Sequence, residues 1–190
     1  GEPRKVEATF AAMMKMVKEH KGGPIEPDDI AEIKVEVIAR AADILGDPAK
    51  YRPTTKETAD HSLPYSLALG LADGMVTPLQ FKQEPSDDPK LIPIMDKNKV
   101  LPKQEFESLF PKFQPSRVTI TLNDGTSHTQ RVDVPKGDPR DPMTEDEIAV
   151  KFNALGEDVV GKKGCKALRK MIMSMERQKK LDGFFDLMTA

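Results

Sequence analysis

The stretch RVTITLNDGTSHTQRVDV, residues 117–134, constrains the fold more than any other part of this 190-residue chain. Residues 117–122 alternate, with Val118, Ile120 and Leu122 on one side and Arg117, Thr119 and Thr121 on the other. That is the period of a strand with one dry and one wet face. A second strand is predicted over 130–134. Between them, NDGTSH carries Asn123-Asp124-Gly125, which suits a tight turn with a left-handed residue. The segment is a β-hairpin. AEIKVEVI shows the same alternation earlier in the chain, Ile33, Val35 and Val37 against Glu32, Lys34 and Glu36, after a Pro27-Asp28-Asp29 turn.

Helical signals surround these strands. Val6, Phe10, Met13, Met14 and Val17 share one helical face before Gly22-Gly23-Pro24 ends the segment. A short helix is predicted at 39–46 and another starting at Thr77-Pro78. Between 84 and 116 proline breaks the chain repeatedly, leaving short helices and one strand near 98–102. Thr144 and Glu147 match a capping box, and Ile148, Phe152 and Leu155 then line one face. A last helix, about 164–178, aligns Cys165, Leu168, Ile172 and Met175. An apolar knot follows at Leu181, Phe184, Phe185, Leu187 and Met188. These elements predict an α+β domain over 1–140, a small antiparallel sheet packed with helices, followed by C-terminal helices over 141–190.

Composition removes several functional classes. Charged residues are 32% and apolar ones 38%, the balance of a soluble folded chain. A net charge of -2 gives no footprint for nucleic acid, and the basic excess at 162–180 reads as the solvated side of a helix. No apolar run approaches the ~20 residues of a membrane span. The single cysteine, Cys165, rules out an internal disulfide framework, and its apolar helical face marks it as packing. We expect a cytoplasmic protein. The opening GEPRKVEATF lacks an initiator Met, so we expect the chain to start inside a longer protein; a trimmed or processed form reads the same way.

The residues with chemical potential are few. His20, His61 and His128 lie far apart in sequence and make no metal-ligand spacing. Asp28-Asp29, Asp87-Asp88 and Glu145-Asp146 fall in turns or at helix starts, where capping explains them. The remaining candidate is TADHSLPYSLALGLADG, residues 58–74. Ser62 or Asp60 can cap a helix whose first turn holds Pro64. The helix is predicted to begin at about 61–63 and to run to Asp73-Gly74. Tyr65 then stands in the first turn and His61 just before it. Two readings stand. In one, free N–H groups at the helix start hold a carboxylate, while the phenol and imidazole bind it and move a proton. In the other, Tyr65 is a buried tyrosine and His61 a neighbour of the cap.

The runs DHSLPYSLALGLADGMVT and VTITLNDGTSHTQRVDVPKGDPRDPMTEDEIAVKF resemble the C-terminal part of the MmgE/PrpD family, from about residue 6 to the end. This family includes 2-methylcitrate dehydratase, cis-aconitate decarboxylase and an iminodisuccinate epimerase. The resemblance implies an α+β lid followed by helices that return to a large helical domain, here missing. It implies an active site between the two domains, no metal or organic cofactor, di- or tricarboxylate substrates, and a homodimeric intact enzyme. The family's motif tyrosine falls on Tyr65 and its histidine on His61, and the Asp60-His61 pair looks most like the dehydratases. A further family histidine falls, by spacing, near Glu7, where none stands.

The implied chemistry is removal of a proton α to a carboxylate, with elimination. Tyr65 is the candidate donor or proton carrier, and His61 a binding or supporting group. Lys136 and Arg140 in PKGDPR either attract the anionic substrate or pair with local carboxylates. The alternatives are a stand-alone binding or assembly module, motivated by the absent histidine near Glu7, and a decarboxylase or epimerase of the same family.

Overall fold

The computed structural model describes residues 3–20, 23–74, 76 and 89–188. The chain forms two compact units, one running to Pro142 and one beginning at Met143. The predicted Thr77-Pro78 helix start and the Asp87-Asp88 pair lie outside the described residues.

In the first unit the elements run α1 (Pro3–Glu19), β1 (Ile30–Val37), α2 (Ala39–Leu45), α3 (Lys56–Asp60), α4 (Leu63–Asp73), α5 (Ile92–Asp96), β2 (Asn98–Pro102), α6 (Gln104–Glu107), β3 (Ser116–Leu122) and β4 (Ser127–Val132). The sheet order is β2-β1-β3-β4. β1, β3 and β4 are antiparallel, but β2 joins β1 in parallel, so the sheet is mixed rather than purely antiparallel. α2, α3, α4 and α5 lie between β1 and β2 along the chain, and β2 pairs with β1 in the same direction.

Alternation sets what the sheet buries. β1 and β3 pair Ile33 with Ile120 and Val35 with Val118, and these four are fully buried. α1 lies against β3 and β4, and α4 packs against α1 and α5. α1 contributes Met13, Met14 and Val17 to the same core. Each such side chain contributes about 1.5–3 kcal/mol when fully buried. A buried hydroxyl pair, Thr9 Oγ1 to Ser116 Oγ at 2.7 Å, fixes α1 against β3. α4 is buried on every side over Leu63–Gly70, as expected of a helix that is apolar all round.

The opposite face departs from the wet surface predicted for it. Glu36 is 8% exposed, with Lys103 and Arg117 against its carboxylate. Its carboxylate meets Lys103 Nζ at 3.2 Å and Arg117 Nη1 at 3.4 Å. Arg117 and Arg131 stack at 5.2 and 5.1 Å over the ring of Phe106, which is fully buried, and Arg117 also pairs with Glu105. Elsewhere the face carries exposed cross-strand pairs, Thr119 with Thr129 and Thr121 with Ser127. β4 begins at Ser127, earlier than the predicted 130. Gly125, at φ 86°, closes the turn tightly enough for Thr121 to pair with Ser127.

The second unit holds α7 (Glu145–Ile172), a 3-10 turn at Met175–Arg177 and α8 (Asp182–Met188). Thr144 and Glu147 form the capping box, Glu147 Oε2 accepting the Thr144 N–H at 2.7 Å. Gly161 (φ 69°, ψ 168°) breaks α7. A Cβ on Gly156 would lie 3.0 Å from Cys165 Sγ, so the two halves approach closely. Cys165 and Leu168 are buried, whereas Ile148, Leu155 and Ile172 are 54%, 40% and 42% exposed. The predicted terminal knot is also open, with Leu181, Phe185 and Met188 exposed. Two helical segments have too little surface to bury both faces. Among the described residues no helix is long and apolar enough to cross a membrane.

Two stability measurements check this packing. A Cβ on Gly70 would sit 2.0 Å from Phe10 Cε2. Gly70→Ala is expected to cost about 1–3 kcal/mol by overpacking in urea titrations, and Phe10→Leu to recover part of it. Glu36→Ala is expected to cost about 1.5–3 kcal/mol, the worth of charged hydrogen bonds. A Glu36→Ala protein as stable as the parent would contradict the buried network.

Candidate active site

The site is built from local chemistry at 55–74. Thr55 caps α3 through a reciprocal pair with Thr58, and α3 ends at His61. The His61 ring is exposed, with Nδ1 at 3.0 Å from the Glu57 carbonyl. A carbonyl only accepts, so Nδ1 carries the hydrogen and Nε2 holds the basic lone pair of the neutral ring.

Ser62 then caps α4. Its Oγ accepts the Tyr65 N–H at 3.0 Å and donates to the Lys50 carbonyl. Pro64 occupies the first turn, where its missing N–H is tolerated. Gly74, at φ 72°, ends the helix in the left-handed region. The helix therefore begins and ends where predicted.

Of the two readings of this helix start, the packing leaves little room for the anion. Pro64 has no N–H and Ser62 takes that of Tyr65, while Ser62, Leu63 and Pro64 are all buried. Little of the helix start is left to hold a carboxylate from solvent. Tyr65 is 6% exposed and belongs to the core cluster, so its ring is packed inside this unit and not displayed on its surface, as the second reading of the sequence has it.

The other two predicted residues sit in the 135–141 loop. Lys136 Nζ lies 3.0 Å from Asp141. Arg140 pairs with Asp138 at 2.8 Å, donates to the Lys112 carbonyl at 2.7 Å, and stacks at 5.0 Å over Phe113. The hydrogen bond that Arg140 donates to Asp138 raises the Arg140 pKa above its ordinary value. The partners found for these cations belong to their own loop and the segment before β3.

Sequence reading missed one grouping. His20 and His128, remote in sequence, meet edge to face with centroids 4.7 Å apart. No signal in the sequence marks it, because His128 falls in the predicted turn, whereas it lies in β4 opposite the buried Ile120. Beside this pair lies a cleft of about 270 Å³ lined by residues that include His20, Ile25, Asp29, Asn123 and Asp124. The Thr126 backbone N–H, with lesser help from His128, holds the Asp124 carboxyl below its ordinary range. Among the described residues no group of three or more His, Cys, Asp or Glu is placed to hold a metal ion.

The chain is 25% identical over 128 residues to a cis-aconitate decarboxylase of Mus musculus, covering 65% of this chain and 25% of that protein. It is 26% identical over 159 residues to a cis-aconitate decarboxylase-like protein of Aspergillus oryzae, covering 79% and 32%. A cis-aconitate decarboxylase of Aspergillus terreus matches at 27% over 128 residues, covering 66% and 26%. The chain thus spans about a quarter to a third of the length of the curated relatives it matches. The family model of the MmgE/PrpD C-terminal domain matches residues 5–177, from α1 to the end of the 3-10 turn after α7, and the chain belongs to this family.

Proposed function

We propose that this chain is the C-terminal part of a cytoplasmic, cofactor-independent lyase. It would act on a di- or tricarboxylate by moving a proton at carbon with loss of carbon dioxide or water. The observation that carries this reading is the family match over residues 5–177. The relatives named as cis-aconitate decarboxylases favour loss of carbon dioxide.

In that reaction the bond from carbon to one carboxylate breaks and its electron pair forms a new C=C bond. The far carbon of the original double bond takes a proton. Tyr65 is the proposed donor, since a phenol O–H can give a proton to carbon. A ring packed in the core keeps a fixed position. His61, exposed and with its basic Nε2 defined by the Glu57 carbonyl, is the proposed group for binding or proton uptake.

Dehydration of a hydroxy-tricarboxylate such as 2-methylcitrate is a second reading, motivated by the adjacent Asp60 and His61. It would use His61 Nε2 to remove the proton. Lys136 and Arg140 would reach a substrate only by giving up Asp141 and Asp138, so the proposal assigns them to the loop itself. The exposed apolar residues of α7 and α8 are the proposed contact with the rest of the protein, which the resemblance describes as a helical domain in a homodimer.

In the protein that carries this chain, Tyr65→Phe is expected to lower kcat by about 10²-fold, the scale of a lost acid or base. Product analysis on cis-aconitate and 2-methylcitrate separates carbon dioxide release from dehydration. Unchanged kinetics in Tyr65→Phe would remove the phenol from the mechanism.

A further inference from the structure

The phenol can act only if its helix start is held in place, and the structure shows an unusual hold. Ser62 is fully buried and bonded on every side. Its N–H donates to the Ala59 carbonyl at 3.0 Å, and its carbonyl accepts the Ser66 N–H at 3.1 Å and the Ser66 hydroxyl at 2.8 Å. Its own hydroxyl spends its proton on the Lys50 carbonyl and accepts the Tyr65 N–H. An ordinary helix cap needs an acceptor alone. The donated bond is additional, and it reaches outside the helix.

That bond leads to the sheet. Lys50 lies in the 3-10 turn Pro48–Tyr51, which Asp47 caps through the Ala49 N–H at 2.9 Å. The next residue, Tyr51, accepts the Val100 N–H of β2 on its phenol oxygen at 3.4 Å. Arg52 then binds Asp96, in α5 just before β2, with both carboxylate oxygens. A continuous path therefore runs from β2 through the turn and the Lys50 carbonyl to the Ser62 hydroxyl and the Tyr65 backbone.

We propose that Ser62 is a positioning residue for Tyr65, its hydroxyl tying the start of α4 to the turn at Pro48–Tyr51. The inference rests on the reading of Tyr65 as the proton-carrying group. Its physical basis is that a displacement of about 1 Å at a reacting group can cost on the order of 10²-fold in rate. Without the Lys50 anchor the cap can still form, but the first turn of α4 loses its reference to the sheet.

The test is a double-mutant cycle in the protein that carries this chain, assayed on cis-aconitate and 2-methylcitrate, with thermal melts confirming that each variant is folded. Ser62→Ala is expected to lower kcat by about 10-fold or more, with KM within about 2-fold, and to add no further loss in a Tyr65→Phe background. Ser62→Thr, which both donates and accepts, is expected to keep most activity. Ser62→Asp, which caps α4 without donating to Lys50, is expected to resemble Ser62→Ala. The positioning role is overturned if Ser62→Ala costs the same factor with and without the Tyr65 hydroxyl, or if Ser62→Asp matches the parent. Should Ser62→Ala fail to fold, the Thr and Asp variants make the same comparison. A Tyr65→Phe protein with parental kinetics would overturn the reading of Tyr65 itself, and the role of Ser62 with it.

Discussion

The antiparallel pairing of β1 with β3 is the constraint on which the first unit depends. It puts Ile33 beside Ile120 and Val35 beside Val118 on one face, and only a covering layer keeps these four from water. α1 supplies that layer, with Met13, Met14 and Val17 facing in, and α4 closes over α1. A slip of one residue between β1 and β3 would turn the apolar set outward and leave α1 nothing to cover. The Thr9–Ser116 hydroxyl pair acts against such slippage, since both groups are buried and each would lose its partner.

The candidate site inherits its geometry from this arrangement. α4 is buried because the sheet and α1 provide a place for a helix that is apolar all round. Its first turn is then aimed by Ser62 and Pro64, one by hydrogen bonding and the other by restricting φ. Tyr65 and His61 end up in different surroundings although they are four residues apart. The first is set in the core and the second faces solvent with a defined tautomer. In our proposal the two share the work of proton transfer, the enclosed phenol as donor and the exposed imidazole as binding or accepting group. Membership of the MmgE/PrpD C-terminal domain family makes a carboxylate the natural substrate of our proposal.

What the sequence disclosed depended on how local the cause was. The bounds of α4 were legible because Ser62, Pro64 and Gly74 act within a turn of where they stand. The capping box at Thr144 was legible for the same reason. Burial of Glu36 was not, because its cover comes from Lys103, Phe106, Arg117 and Arg131, far along the chain. The parallel entry of β2 and the meeting of His20 with His128 also rest on long-range partners that no local period reveals. Of the two readings of the helix start, the buried one fits the packing: proline removes one backbone donor and the serine cap takes another. In the second unit, periodicity marked the apolar faces of α7 correctly as helical, but it carries no information on what covers them.

The central claim is that the Tyr65 phenol meets a carboxylic acid substrate. Its most direct test is an experimental structure of the protein that carries this chain with an unreactive tricarboxylate bound. The account expects Tyr65 Oη within hydrogen-bond reach, about 3 Å, of the ligand or of one bridging water. A ligand bound with Tyr65 Oη out of reach of it and of any bridging water would contradict it.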